Sequence, residues 1–339
     1  MLLLSDGRPG HYRQSEGVVA ALQRRGPIEM DRREIRARLP LLPKALIPKL
    51  GRLLAPARFL SLVHGIDPNE FAIPDLIVSA GGATLGANVA LARIWGVPNV
   101  FSGSTRGYPL AAFRLVLTPY ASVAAPPKVV FGPKPSPFDP DRLPLPRPLG
   151  SRDDMRGARV CVLIGGPTSY AAFEDDDWAR LTALAGALAS EWQCRVTIVT
   201  SPRTPDAAYA HVRPFVERSD GAATLVDFRT AGPGSIDKAL DCDLVLVTSD
   251  SMSMMTEAAV SRRPAVALAP QKVAPNKDDQ AVAGLVAAGW LAVLPLATAD
   301  AAAVIDAALG ERPMQENHLD RLADLVGTAA RGDEPADHA

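Results

Sequence analysis

The chain reads as an α/β protein made of two parallel-sheet domains in succession. Three observations carry that reading. At 339 residues it exceeds one comfortable core. Short apolar runs alternate with helical patterns along both halves. Nine prolines fall between Pro126 and Pro148, and the run Gly132-Pro-Lys-Pro-Ser-Pro-Phe-Asp-Pro140 admits neither helix nor central strand. We therefore expect a first domain over residues 1–132 and a semi-rigid, extended connector over 133–156. A second domain follows over 157–310, then a C-terminal helix over 311–330 able to pack back on the first domain, and a flexible tail over 331–339.

In the first half, residues 1–4 form a short strand and 15–24 a helix. A second strand covers 76–79, followed by a glycine turn, a helix over 85–95, and strands over 99–101 and 115–117. In the second half, strands are expected over 159–164, 195–200, 223–227, 244–248 and 265–268. A long amphipathic helix covers 175–192 and a shorter one 253–260. Such alternation implies parallel sheets with helices on both faces. Two sheets of this kind place a cleft between them, and their ligands sit beyond the strand carboxyl ends, where the glycine turns lie.

With 47% apolar and 22% charged residues and a net charge of −1, the chain has the composition of a soluble globular enzyme. It shows no basic excess for nucleic acid. Cys161, Cys194 and Cys242 are widely spaced in apolar surroundings and read as buried thiols of a reducing compartment. The five histidines show no metal-ligand spacing. The N-terminal apolar run is too short for a signal peptide, and no stretch is long enough to cross a membrane, so we expect a cytoplasmic protein.

Chemistry concentrates in the turns after strands. Leu244-Val-Leu-Val-Thr-Ser-Asp-Ser-Met-Ser-Met-Met-Thr-Glu257 runs from a buried strand into a helix start. Ser249, Ser251, Ser253 and the free backbone N–H groups of the helix start favour an anion there, and Glu257 can accept from sugar hydroxyls. In Asn276-Lys-Asp-Asp-Gln280, Asp279 and Gln280 suit several sugar hydroxyls, or simply cap a helix. Gly165 and Gly166 in Leu163-Ile-Gly-Gly-Pro-Thr168 allow a pyrophosphate or an acceptor close to the backbone. Arg203 in Thr200-Ser-Pro-Arg-Thr204 offers a forked cation for phosphate, or a solvated surface charge. Neither loop has the spacing of a phosphate-binding or dinucleotide fingerprint.

In the first half, Ser5-Asp-Gly-Arg-Pro-Gly-His-Tyr-Arg-Gln14 reads as a loop. Asp6 and His11 are its only acid and imidazole. His11 is either the base for an attacking hydroxyl or a residue capping the next helix. Asp6 is a second candidate base, or orients His11, or holds the turn. Gly10 and Gln14 belong to the same segment. Gly81 and Gly82 in Ser79-Ala-Gly-Gly-Ala-Thr84 admit a ligand close to the backbone, or only a tight strand–helix connection.

Residues 35–62 form a basic, leucine-rich arm broken by prolines, with six cations and no acid between Arg36 and Arg58. Such a stretch suits an anionic membrane surface. It equally suits surface helices whose leucines face the core.

Together these segments resemble the GT-B glycosyltransferases, with two Rossmann-like domains facing a central cleft. The pattern S-x-S-x-x-x-E-A with a downstream D-Q is similar to the donor site of the enzyme that adds N-acetylglucosamine to lipid-linked peptidoglycan precursors. That resemblance implies ribose at Glu257, diphosphate at Ser251 to Met254, donor sugar at Asp279 and Gln280, and a matching Gly-His pair at Gly10-His11. Over nearly the whole chain the sequence resembles the "elongated mitochondria" (ELM) family of mitochondrial fission proteins. The segments are Ser5-Asp-Gly-Arg-Pro-Gly-His11 with Gln14, Leu163-Ile-Gly-Gly-Pro167, Thr200-Ser-Pro-Arg-Thr-Pro205 and Val247-Thr-Ser-Asp-Ser-Met-Ser-Met254. It departs from that family at Thr168-Ser-Tyr170, where an asparagine–glycine-type turn is expected.

The expected function is a metal-independent, inverting glycosyltransferase. It would need no cofactor and would carry a sugar from a nucleoside-diphosphate donor, with UDP the expected nucleotide, to a hydroxyl acceptor. A lipid-linked acceptor would place it peripherally on the inner face of the cytoplasmic membrane. Two further readings stand beside it: a nucleotide-sugar 2-epimerase of the same fold, and a non-catalytic adaptor that recruits partners through the basic arm.

Overall fold

The computed structural model of the protein describes residues 1–36, 38, 46–232 and 234–331. The chain divides into two compact units. The first comprises Met1–Pro137 and the chain from His318, and the second Phe138–Asn317.

The first unit holds six parallel strands: β1 (Leu2–Ser5), β2 (Asp31–Glu34), β3 (Ile77–Ala80), β4 (Asn99–Ser102), β5 (Leu115–Thr118) and β6 (Val129–Phe131). Their order is β2-β1-β3-β4-β5-β6. The inner strands β1, β3, β4 and β5 are wholly buried, as continuous apolar runs covered on both faces should be. Edge strand β2 is Asp-Arg-Arg-Glu with every residue exposed. Charge on an edge discourages further pairing, and it also removes the hydrophobic signal that would mark the strand in the sequence. Helices α1 (Pro9–Gln23), α2 (Ile47–Leu53), α3 (Pro56–Phe59) and α4 (Leu85–Trp95) complete this part of the unit.

Helix α1 corrects the expected start at residue 15. Pro9 occupies its first turn behind an extended Arg8, a position where the missing N–H costs nothing. Gly10, His11 and Gln14 are therefore helical, not part of a loop.

The second unit contains β7 (Arg159–Leu163), β8 (Ala171–Ala172), β9 (Arg195–Val199), β10 (Ala223–Val226), β11 (Leu244–Thr248), β12 (Ala265–Ala269), β13 (Lys272–Val273) and β14 (Ala292–Pro295). Its main sheet is parallel, in the order β10-β9-β7-β11-β12-β14. This is the doubly wound order in which the winding reverses between the first and fourth strands, here β7 and β11. A small antiparallel pair, β8 and β13, joins the loops that follow β7 and β12. The helices are α5 (Asp175–Glu191), α6 (Asp206–Arg218), α7 (Phe228–Ala231), α8 (Ser235–Ala239), α9 (Met252–Val260), α10 (Asp279–Ala287) and α11 (Ala301–Gly310). Val160, Val162, Trp178, Leu188, Ile198, Leu246 and Val304 share one core between the sheet and its helices.

The proline-rich stretch is not a free connector over 133–156. The division falls between Pro137 and Phe138. Upstream, a Cβ on Gly17 would lie 2.5 Å from Ser136 N, so that glycine lets the 135–136 backbone rest on α1. Downstream, residues 138–156 are built into the second unit. The buried Arg263 donates from Nη2 to the Pro144 carbonyl at 2.7 Å, Arg147 N–H donates to Asp243 at 3.0 Å, and Met155 is fully buried. Proline offers no N–H, but its carbonyls still accept. Asn317 closes this unit by donating to Asp139 and Asp141 at 2.7 and 2.8 Å.

The last helix, α12 (His318–Arg331), belongs to the first unit. Leu319, Leu322 and Val326 pack with Val18 and Ala21 of α1. Arg24 holds Asp320 through two contacts of 2.8 and 2.9 Å. Residues 332–339 of the expected tail lie outside the described residues, as do Ala37 and residues 39–45 of the basic arm. The described part of the arm divides its leucines. Ile47, Phe59 and Leu60 are buried, whereas Leu53 and Leu62 are 81% and 52% exposed beside exposed Lys49, Arg52 and Arg58. Among the described residues no helix is long and apolar enough to cross a membrane, and all three cysteines are buried and free.

Candidate active site

In the second unit the loops after β7, β9 and β11 meet where the sheet reverses. Gly165 N–H donates to Thr248 Oγ1 at 2.8 Å, and Gly166 N–H to Asp250 Oδ2 at 2.7 Å. Both amides of the turn expected to admit a pyrophosphate or an acceptor are thus used inside the protein. The glycines have another cause: a Cβ on Gly165 would lie 2.7 Å from Asp250 Cγ, and one on Gly166 would lie 2.7 Å from Arg203 Cβ. Ser201 and Thr204 lock the β9 loop onto the β7 loop. Their hydroxyls donate to the Gly165 carbonyl at 3.0 and 2.8 Å.

The loop delivers Arg203 to the same place. Its Nη1 reaches the Gly166 carbonyl at 3.3 Å and its Nη2 lies 3.5 Å from Asp250 Oδ2. Close to half of the Arg203 side chain stays in solvent, whereas the Asp250 side chain has no exposure. Burial pushes the Asp250 carboxyl above the ordinary aspartate value, against the opposing pull of Thr248, Gly166 N–H and Arg203. Nothing in the spacing of the sequence marked Asp250. It hides between serines that look like the chemistry.

Ser251 is the N-cap of α9, but its side chain caps no amide. The start of this nine-residue helix is left open to an anion. Ser253 is exposed there. Met252 and Met254 turn into the core, so only their backbone is offered. Glu257 lies one turn beyond Ser253 on the same side of the helix and is 4% exposed.

Beside this helix is a cavity of about 270 Å³. Ser249, Met255, Tyr170, Asp278 and Asp279 line it, with Ala171, Ala269, Val273 and Val282 forming apolar walls. Part of Asp279 is already engaged, since it accepts from Asn276 N–H at 2.9 Å and from Asn276 Nδ2 at 2.6 Å. Gln280 is exposed on the first turn of α10. Tyr170 occupies the place where the sequence departed from the family pattern. Its hydroxyl donates to the Asp250 carbonyl at 3.0 Å. Burial raises the Tyr170 pKa, with the negative charges of Asp278 and Asp250 adding to it.

The first unit carries its own cluster at the carboxyl ends of β1, β3 and β4. Asp6 Oδ2 lies 2.8 Å from His11 Nδ1, with the Asp6 side chain 4% and the His11 side chain 27% exposed. The imidazole packs on the turn after β3, where a Cβ on Gly81 would lie 2.5 Å from His11 Cε1. Gly81 also has a φ of +84°, which favours glycine. Gln14 donates to the Gly10 carbonyl at 3.0 Å and accepts from Ser102 Oγ at 2.9 Å, tying α1 to the end of β4. Arg106, missed in the sequence, lays its guanidinium over Gly82, whose Cβ would be 2.5 Å from Arg106 Cζ. Its backbone is left-handed at φ +48°. Among the described residues, no three His, Cys, Asp or Glu side chains gather as a metal site.

The family model described as Mitochondrial fission ELM1 matches residues 9–320. No curated protein matches the chain. Solved structures share its fold at low identity. Acinetobacter baumannii MurG is 14% identical with a TM-score of 0.50, covering 98% of this chain and 95% of its own. The S. aureus MnaA–UDP co-structure is 13% identical at 0.54, covering 100% and 99%. The UDP-GlcNAc 2-epimerase from Neisseria meningitidis bound to UDP-GlcNAc is 10% identical at 0.51, covering 98% and 99%. The fold is thus the GT-B-like one shared by glycosyltransferases and UDP-GlcNAc 2-epimerases.

Proposed function

The chain belongs to the mitochondrial fission ELM1 family, and from that premise we propose that it is an inverting glycosyltransferase using a nucleoside-diphosphate sugar. The observation that carries this reading is the open start of α9 at the reversal point of the second sheet. Ser253 is exposed in the first turn of that helix, and the half-exposed Arg203 faces Asp250 just before it. A diphosphate suits that place because helix amides and a forked cation both favour negative charge.

In this mechanism the acceptor hydroxyl oxygen attacks the anomeric carbon while the bond to the diphosphate breaks, inverting the centre. His11 Nε2 takes the hydroxyl proton, and Asp6 holds Nδ1 and stabilises the imidazolium that forms. The departing diphosphate is met by the α9 amides, Ser251, Ser253 and Arg203, so the step asks nothing of a metal. Glu257 accepts from the ribose hydroxyls. Gln280 and the remaining capacity of Asp279 meet the sugar at the cavity. Gly10, Gln14, Gly81 and Gly82 shape the acceptor side around His11.

UDP is the nucleotide to test first, because solved proteins of this fold hold UDP or UDP-GlcNAc. The exposed Leu53 and Leu62 among Lys49, Arg52 and Arg58 support a lipid-linked acceptor met at an anionic membrane surface on the cytoplasmic side. A crystal soaked with UDP tests the reading: density is expected at Ser253 and Glu257. UDP bound elsewhere, or none, overturns it. Partner binding that survives in a His11→Ala, Glu257→Ala variant of a protein without nucleotide affinity would mark an adaptor instead.

A further inference from the structure

The donor reading leaves Asp250 unused, yet this residue joins all three loops of the second unit's site. Oδ2 accepts from Gly166 N–H at 2.7 Å and faces Arg203 Nη2 at 3.5 Å. Oδ1 is buried without a hydrogen-bond partner. The residue directly precedes the N-cap of α9. Its carbonyl is held by Tyr170 from the cavity wall, and Gly165 lacks a side chain where Asp250 Cγ approaches. A wholly shielded carboxylate with one idle oxygen is a poor choice for stability alone. An aspartate retained on those terms calls for a role in the site.

Resting on the donor reading above, we infer that Asp250 is the positioning residue of the diphosphate site. It holds the Arg203 guanidinium over the Gly165-Gly166 turn beside the open start of α9, so the cation is in place before the anion arrives. The geometry fits that task. Arg203 is anchored by one long contact to Asp250 and one to the Gly166 carbonyl, which leaves other N–H groups for phosphate oxygens. A side chain with four rotatable bonds loses less freedom on binding when it is already held. Among the described residues Arg203 is the cation that faces Asp250, while Thr248 and Tyr170 contribute uncharged hydroxyls.

The test is a double-mutant cycle on UDP affinity, measured by calorimetry on the full chain with melting temperatures alongside. Asp250→Asn keeps the size of the side chain and an acceptor for Gly166 N–H. It should weaken UDP about tenfold, the scale of one misplaced charge-assisted contact. Arg203→Met should weaken UDP to a similar degree, and adding Asp250→Asn to it should change affinity less than about twofold. Asp250→Ser serves the same cycle if the asparagine variant does not fold. An Asp250→Asn protein that binds UDP as tightly as its parent overturns the inference. So does a loss that persists undiminished without Arg203, since that marks a purely structural part. A parent that binds no UDP overturns the donor reading itself, and this inference with it.

Discussion

Asp6 Oδ2 stands 2.8 Å from His11 Nδ1, a nearly buried carboxylate against a partly exposed imidazole. An ionised carboxylate only accepts, so a neutral imidazole facing it carries its proton on Nδ1 and leaves the Nε2 lone pair for another group. If this pair is the base of the proposed transfer, His11→Ala should lower kcat about 10²- to 10⁴-fold. Asp6→Asn should lower it too, by presenting the wrong partner to Nδ1. Calorimetric affinity for UDP should not change in either variant, because the donor groups lie in the other unit. A His11→Ala protein with parental kcat removes His11 from the chemistry.

Arg106 pairs an exposed guanidinium with a left-handed backbone and rests on Gly82, in the turn that also seats His11. A strained residue in such a turn is a candidate for contact with substrate. Arg106→Ala should raise the acceptor KM about tenfold or more, the scale of a lost charged hydrogen bond, and leave the donor KM unchanged. Steady-state kinetics with each substrate varied separately checks this. An equal rise in both KM values would indicate a general disturbance of the loop.

The fold was legible because its central strands are apolar runs closed by glycine turns, as in Arg159–Leu163 and Ile77–Ala80. Edge strand β2 was not, since its four charged residues carry no pattern. Helix α1 began earlier than periodicity indicated because the signal was Pro9, a residue more often read as a breaker. In the site, the open start of α9 followed from the sequence Ser251-Met-Ser-Met254. The use of the Gly165 and Gly166 amides by Thr248 and Asp250 did not, because it joins residues more than eighty positions apart. Asp279 was visible as a polar residue, but its reciprocal closure with Asn276 depends on a local backbone geometry that residue types and spacing do not encode.

The exposed leucines of α2 and of the helical turn Leu60–His64 after α3 bear on where the protein works. Leu53 and Leu62 sit among Lys49, Arg52 and Arg58, so apolar contact and charge should act together on an anionic surface. The full chain should co-sediment with phosphatidylglycerol-rich vesicles at low salt and largely release at high salt. Leu53→Ser with Leu62→Ser should weaken binding even at low salt. Equal binding to neutral vesicles would show that the basic residues do not contribute.

Glu311 supplies a pH dependence of stability that is independent of catalysis. It follows the C-terminus of α11, where the helix dipole disfavours an anion, and its Oε2 is buried without a partner. Burial pushes its pKa from the ordinary 4.5 up to about 7. A carboxyl with a raised pKa binds its proton more tightly in the folded chain. Its contribution is therefore complete below 4.5 and is lost as pH rises through about 7. Glu311→Gln keeps the neutral form at every pH. The difference in melting temperature, variant minus parent, should be small near about pH 5 and grow in favour of the variant by about pH 8. A difference that stays flat across that interval would mean the Glu311 carboxyl is solvated in solution and titrates like an ordinary glutamate.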